Sequence, residues 1–416
     1  MNFTETEVLT TAELLAAARD PGISRIIVSA KLSEVPTLRL SSGQTLTGSF
    51  SKASVRFADG EDGVQLSENN TVENLELITA PDKRVLFNDT AVEDFGTFVL
   101  RNLKLAGATI LLAAGRVRAG HVDVQGIDVV SADARWYSVR PAGYGVEVIP
   151  GAFTLWNQQP DPSVTITANL TGLNAGRPRA PVHGSGIFVS GAGDSGGKMI
   201  VHRLETGAVF SHGGIALGTP DRISGGVFVV YGTFVDVVRT FGRITTYGPN
   251  DMALDNWGVV DRWVSDAQVT SHGPSGIGFV NFGKINLLQL KAPIETFGLG
   301  ARGFNVYAGT VKEAEFDRII THGDGAVGIQ IGQPIGKITV LRGIETFGGT
   351  GDSLVKGVVT KLSATALSIK AEGLVRELQV SGGLVTHTKG VAPLELLGSV
   401  ESLYIAGQTV ALGDKT

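Results

Sequence analysis

The chain has 416 residues, of which 56 are Gly, 15 are Pro and none is Cys. The glycine share is about twice the usual one, while a hydrophobic content of 43 % suffices for a large core and excludes a disordered chain. Zero cysteines exclude disulfides and thiolate chemistry, a net charge of −5 without a basic stripe argues against nucleic acid, and no run of 18 apolar residues is present to span a membrane.

In chain order, the first ten residues hold Glu5 and Glu7 and no basic cluster, so no secretory leader is expected at this end. Thr10-x-x-Glu13 is a capping box. Leu14, Leu15 and Ala18 form an apolar stripe, and Pro21-Gly22 stops it, which predicts a helical cap over 10–20. Arg25-Ile26-Ile27-Val28 is the expected first strand. Over 131–164 an irregular stretch is expected as a loop insertion over one face, and it holds two of the four tryptophans. The glycine-rich Ser190–Gly197 lacks the Lys-Ser/Thr of a phosphate loop and reads as an exposed turn. A second break carries Thr219-Pro220-Asp221-Arg222. The end, Gly413-Asp414-Lys415-Thr416, is polar, and one domain over 1–416 is expected.

The middle of the chain repeats. Thr246-Tyr247-Gly248 returns at even steps as Ser271-His272-Gly273, Thr296-Phe297-Gly298, Thr321-His322-Gly323 and Thr346-Phe347-Gly348. A second glycine column runs through Gly197, Gly232, Gly258, Gly283 and Gly309. A fixed period of about 25 residues marks a solenoid. Short alternating runs such as Lys284–Leu290, punctuated by glycine turns, make the units strands and not helices. The reading is an all-β parallel solenoid, one coil per period, with coils about 4.8 Å apart. Thr246 and its equivalents then form a hydroxyl ladder, and Tyr247, His272, Phe297, His322 and Phe347 a stack of rings.

The opening resembles the pectate-lyase-like superfamily. The resemblance rests on Ala12–Ala18 followed by Ile26–Leu32, on Ser42–Gly48 and on Asn69–Leu77, and it ends there. It implies a right-handed parallel β-helix and a carbohydrate-active protein. The superfamily's catalytic motifs do not carry over. The Trp-Ile-Asp-His segment of pectate lyases is replaced by Leu77-Ile78-Thr79-Ala80-Pro81-Asp82-Lys83-Arg84. Val182-His183-Gly184 and Ser211-His212-Gly213 are not the Gly-His-Gly of polygalacturonases.

Candidate chemistry falls in three clusters. Asp236 and Asp261 occupy equivalent positions of adjacent coils, about 5 Å apart if stacked, a spacing that suits a shared proton, a cation or a retaining glycosidase pair. Asp251, Asp255 and Trp257 lie close in sequence, with Arg222 one coil earlier, and His272 is a further catalytic candidate. Arg177, Arg179 and His183 form a basic group suited to an acidic substrate. In the insertion, Arg135, Trp136, Tyr137, Arg140, Tyr144 and Trp156 combine rings for sugar faces with guanidinium groups. No metal motif is present and no cofactor is evident, although a lyase would call for a divalent cation such as calcium. The expected function is a carbohydrate-active enzyme of lyase, glycosidase or epimerase type acting on a poly- or oligosaccharide. The alternative is a non-catalytic glycan-binding or spike-type rod, with self-association into trimers as a further expectation.

Overall fold

The computed structural model describes residues 4–49, 53–355 and 357–412. The chain winds into a right-handed parallel β-helix with one short helix at its N-terminal end. Each regular coil contributes strands to three faces. On the first, Thr233–Thr240, Val259–Ser265, Lys284–Leu290 and Thr310–Phe316 pair in parallel. On the second, Ile244–Thr246, Val269–Ser271, Ile294–Thr296 and Ile319–Thr321 do the same. On the third, Asp251–Asn256, Ile277–Asn281, Arg302–Val306 and Val327–Ile331 follow.

Side-chain alternation decides what enters the core. In Lys284–Leu290, Ile285, Leu288 and Leu290 are buried, while Lys284 and Asn286 face solvent. Ile285 stacks between Val260 and Val311, and Leu288 between Trp263 and Ala314. Each such aliphatic side chain contributes about 1.5–3 kcal/mol on burial. The glycine columns have a steric cause. A Cβ placed on Gly273, Gly298, Gly323 or Gly348 would lie 1.8–2.0 Å from the carbonyl oxygen of the glycine one coil earlier. Any other residue there would force the coils apart.

Both expected side-chain columns are present. Thr246, Ser271, Thr296, Thr321 and Thr346 are fully buried and in register. The rings of Tyr247, His272, Phe297, His322 and Phe347 stack 4.6–5.3 Å apart within 13° of parallel, and His387 extends the stack at 4.0 Å.

The cap forms as its capping box predicts. The helix Thr11–Arg19 starts where Thr10 Oγ1 accepts from Glu13 N and the Glu13 carboxylate accepts from Thr10 N. Leu14, Ala17 and Ala18 close the core. The expected first strand needs correction, because Thr4–Val8 pairs in parallel with Ile23–Val28. Its Thr-Glu alternation buries only Val8, so no apolar pattern announces it. The tail Gly413–Thr416 lies outside the described residues.

The insertion is shorter than the sequence implies. Gly151–Asn157 is a buried third-face strand between Ala108–Ala113 and Ser185–Ser190. The excursion is 132–150, which includes a small hairpin pairing Ala142–Gly143 with Val146–Val148. A second hairpin, Thr350–Val355 with Val358–Ser363, has no counterpart among the expectations. Ser353 Oγ donates to Gly300 O at 2.8 Å, and Leu354 N donates to Ser275 Oγ at 3.2 Å. The loop at 214–221 joins them through Asn250 Nδ2, which donates to Thr219 O at 2.7 Å. All three excursions lie over the third face, where Val146, Pro220 and Leu354 line one cavity.

Candidate functional site on the third face

The N-terminal half of the third face is left uncovered. Leu38–Arg39, Val64–Leu66, Arg84–Asn88 and Ala108–Ala113 pair in parallel there and floor an open groove of about 630 Å³. Arg39, Gln65, Arg84, Phe87, Tyr137 and Gln158 are among its lining residues. Arg84 lies over the Phe87 ring, 4.0 Å from its centroid, and its Nε donates to Asp62 at 3.0 Å. Glu61 accepts from Thr37 Oγ1 at 2.6 Å and from Thr37 N at 3.1 Å. These bonds hold the Glu61 carboxyl below its ordinary range. The insertion closes one end. Tyr137 lines the groove there, and Trp136 meets it edge-on at 5.5 Å with 44 % of its surface exposed. Burial raises the Tyr137 hydroxyl pKa.

The C-terminal half is roofed. A second apolar cluster lies outside the third face, built from Val148, Phe188, Ile223, Phe228, Met252, Trp257, Ile277 and Val280. Tyr144 covers it, stacked on Phe282 at 4.5 Å and edge-on to Trp257 at 5.1 Å. Under this roof a cavity of about 60 Å³ remains, with Asp255, Tyr144, Phe282 and Tyr307 in its lining. Asp255 is fully buried, and its two carboxyl oxygens meet no group at hydrogen-bond geometry among the described residues. Burial pushes its pKa well above the ordinary carboxylate range, and the nearby Trp257 indole and Asn256 N–H offset this only in part.

The other expected site residues are dispersed. Asp236 and Asp261 stand beside each other on neighbouring first-face strands, as expected, and line neither of the two sites. Asp236 is exposed and bonds to His202 Nδ1 at 2.9 Å, and Asp261 accepts from Asn286 Nδ2 at 2.7 Å. Asp251 is buried and ties three segments together. It accepts from Ser224 Oγ at 2.6 Å, Gly248 N at 2.7 Å and Gly213 N at 3.0 Å. Burial outweighs these donors and raises its pKa. His272 belongs to the ring stack, where burial lowers its pKa.

Several binding candidates are occupied within the fold. Arg177 pairs with Asp128 at 2.6 Å, so the basic group with His183 and exposed Arg179 is partly neutralised. His183 lies edge-on to His212 at 5.9 Å, and burial lowers its pKa. Arg135 donates from Nε to Asp133 at 2.8 Å, and Arg140 donates to Arg135 O at 2.9 Å, which fixes the insertion's path. Arg222 reaches Glu147 of the hairpin at 4.0 Å. Trp156 and Trp257 are buried in the roofed cluster, and the Trp156 indole donates to Gly191 O at 3.0 Å. Neither indole offers a face to solvent-borne sugar.

Among the described residues no group of three or more His, Asp or Glu side chains is gathered to hold a metal ion. No helix of the described residues is long and apolar enough to cross a membrane. No protein-family model, curated protein or solved structure matches the chain.

Proposed function

We propose that the protein binds a poly- or oligosaccharide along the open groove of the third face. The observation that carries this reading is the groove itself. It runs over several coils, is lined by the guanidinium groups of Arg39 and Arg84, and ends at Tyr137, with Trp136 edge-on beside it. A rigid polar floor with one exposed aromatic wall suits a hydroxyl-rich chain whose ring faces are apolar. The resemblance of the opening segment, as far as Leu77, to pectate-lyase-like proteins points to the same ligand class.

Binding is favoured over catalysis for a chemical reason. Glycoside hydrolysis needs a carboxylic acid whose pKa is raised and a second carboxylate beside it. Of the three carboxylates lining the groove, Glu61 is held down by Thr37, Asp62 is engaged by Arg84, and Asp89 accepts from Ala91 N at 2.9 Å. The raised carboxyl, Asp255, sits under the roof, away from the groove. The enzyme reading keeps one supporting observation, which is that buried acid.

The test is affinity electrophoresis through gels loaded with neutral and acidic polysaccharides, with mass spectrometry of the polymer afterwards. The expected result is retardation by at least one polymer, loss of retardation in Trp136→Ala/Tyr137→Ala, and an intact polymer. Shortened fragments would turn the assignment to an enzyme, and fragments lighter by one water would make it a lyase. No retardation by any polymer would overturn the carbohydrate reading.

A further inference from the structure

The roofed cavity asks for a partner of a different kind. Leaving a buried polar group without a hydrogen bond costs about 1–3 kcal/mol, and native interiors avoid it. Neither carboxyl oxygen of Asp255 has a partner at hydrogen-bond geometry, and the donors that act on it are the Trp257 indole, itself unbonded, and the Asn256 N–H. The walls supply no opposite charge. The fully buried guanidinium of Arg302 is engaged by Gln330 Oε1 at 3.1 Å and Ser353 Oγ at 2.7 Å. It lies 5.8 Å from the Tyr307 ring centroid and is not among the cavity's lining groups.

The shape and chemistry of the cavity select its occupant. At about 60 Å³ it is smaller than the roughly 150 Å³ cavity that accepts a benzene ring, so no sugar ring enters. A metal ion is ill-served by a single carboxylate, since the Asn250 amide donates to Thr219 O and Arg222 O, the Ser275 hydroxyl accepts from Leu354 N, and Val280, Ile277 and Met252 are apolar. An ammonium group needs one anionic partner and is stabilised by aromatic walls, which Tyr144, Phe282 and Tyr307 provide. We propose that this cavity binds a small organic cation, a primary or methylated ammonium group, seated on Asp255 beneath Tyr144. Tyr144 is half-exposed and stands between the cavity and solvent. The site shares no residue with the glycan groove, so each assignment stands or falls alone.

Below the free pKa of Asp255, which burial raises, binding moves one proton. The ammonium N–H groups bond to the carboxylate oxygens, and the Asp255 proton leaves to solvent. The other titratable groups of the lining are the hydroxyls of Tyr144 and Tyr307, and Asp194 acts on Tyr144 from outside. One proton released per ligand makes binding about tenfold tighter per pH unit below the free pKa of Asp255.

The probe is methylammonium chloride, with sodium chloride at equal ionic strength and acetamide as a neutral molecule of similar size. Thermal midpoints of the full chain are read at pH 6 and pH 7, together with proton release in weakly buffered solution. The expected result is a midpoint rise with methylammonium alone, an apparent affinity that increases with pH up to the free pKa of Asp255, and proton release over the range where the affinity increases. Asp255→Asn, which keeps the shape of the neutral acid, should lose all three. An equal rise in Asp255→Asn or with acetamide would overturn the proposal. So would the absence of a midpoint rise with methylammonium in the native protein, a reading that stands even if the variant fails to fold.

Discussion

Replacing Asp255 by Asn removes a proton from the interior without changing its shape. Burial raises the folded-state pKa of Asp255, whereas the unfolded chain ionises near its ordinary value of about 3.9. Between these two values the unfolded state sheds a proton that the folded state keeps. The stability of the native protein therefore falls as pH rises, by about 1.4 kcal/mol per pH unit for a full proton difference. Asn has no proton to lose. Asp255→Asn should gain on the native protein as pH rises above about 3.9, by up to about 1.4 kcal/mol per pH unit, until the folded pKa is reached. Urea unfolding of both proteins at pH 5, 6 and 7 reads the difference. Parallel pH dependences would refute the reasoning, because they would mean that Asp255 titrates alike in both states.

Three further perturbations test other parts of the structure. Gly298→Ala places a Cβ 1.9 Å from Gly273 O, so it should cost stability at the upper end of the about 1–3 kcal/mol seen for overpacking, read by urea denaturation. His272 has its pKa lowered by burial between Tyr247 and Phe297. Its contribution is therefore present above the unfolded value of about 6.5 and lost as pH falls through the folded one. His272→Phe should lose less stability than the native protein between pH 7 and pH 5. Arg302→Met removes the donor to Ser353 Oγ and the contact with Leu354 O, and should speed amide exchange in 350–355 and 357–363 while leaving the helix Thr11–Arg19 unchanged.

The repeat was legible because stacking imposes it. Glycine at 273, 298, 323 and 348 answers a backbone oxygen one coil away, and the rings beside it answer each other. The capping box was legible because it is local. What lies above the coils was harder to read. The strand Gly151–Asn157 contains Trp156 in an apolar run beside prolines, and the same letters suit an exposed binding loop. The second hairpin, Thr350–Val355 with Val358–Ser363, leaves a trace in the spacing. Thr346 pairs with Thr386, whereas the period alone would place its partner at Ala371. The surplus chain between those two positions is the excursion. Of the candidate residues, Tyr137, Tyr144 and Asp255 line the two third-face sites and Trp136 packs beside Tyr137, since insertions and buried charge carry some trace in sequence. The groove floor of Arg39, Arg84 and Phe87 carries none, because outward polar residues on a solenoid look alike on every face.

The most direct test of the glycan groove is a hydroxyl-radical footprint of the protein with and without the polysaccharide that retards it. Trp136 and Tyr137 should be protected, while Phe234 and Phe241 of the first face and Phe297 and Phe347 of the ring column, all at least 40 % exposed, should react as before. Protection of the ring column or the first face, with Trp136 unchanged, would contradict the assignment.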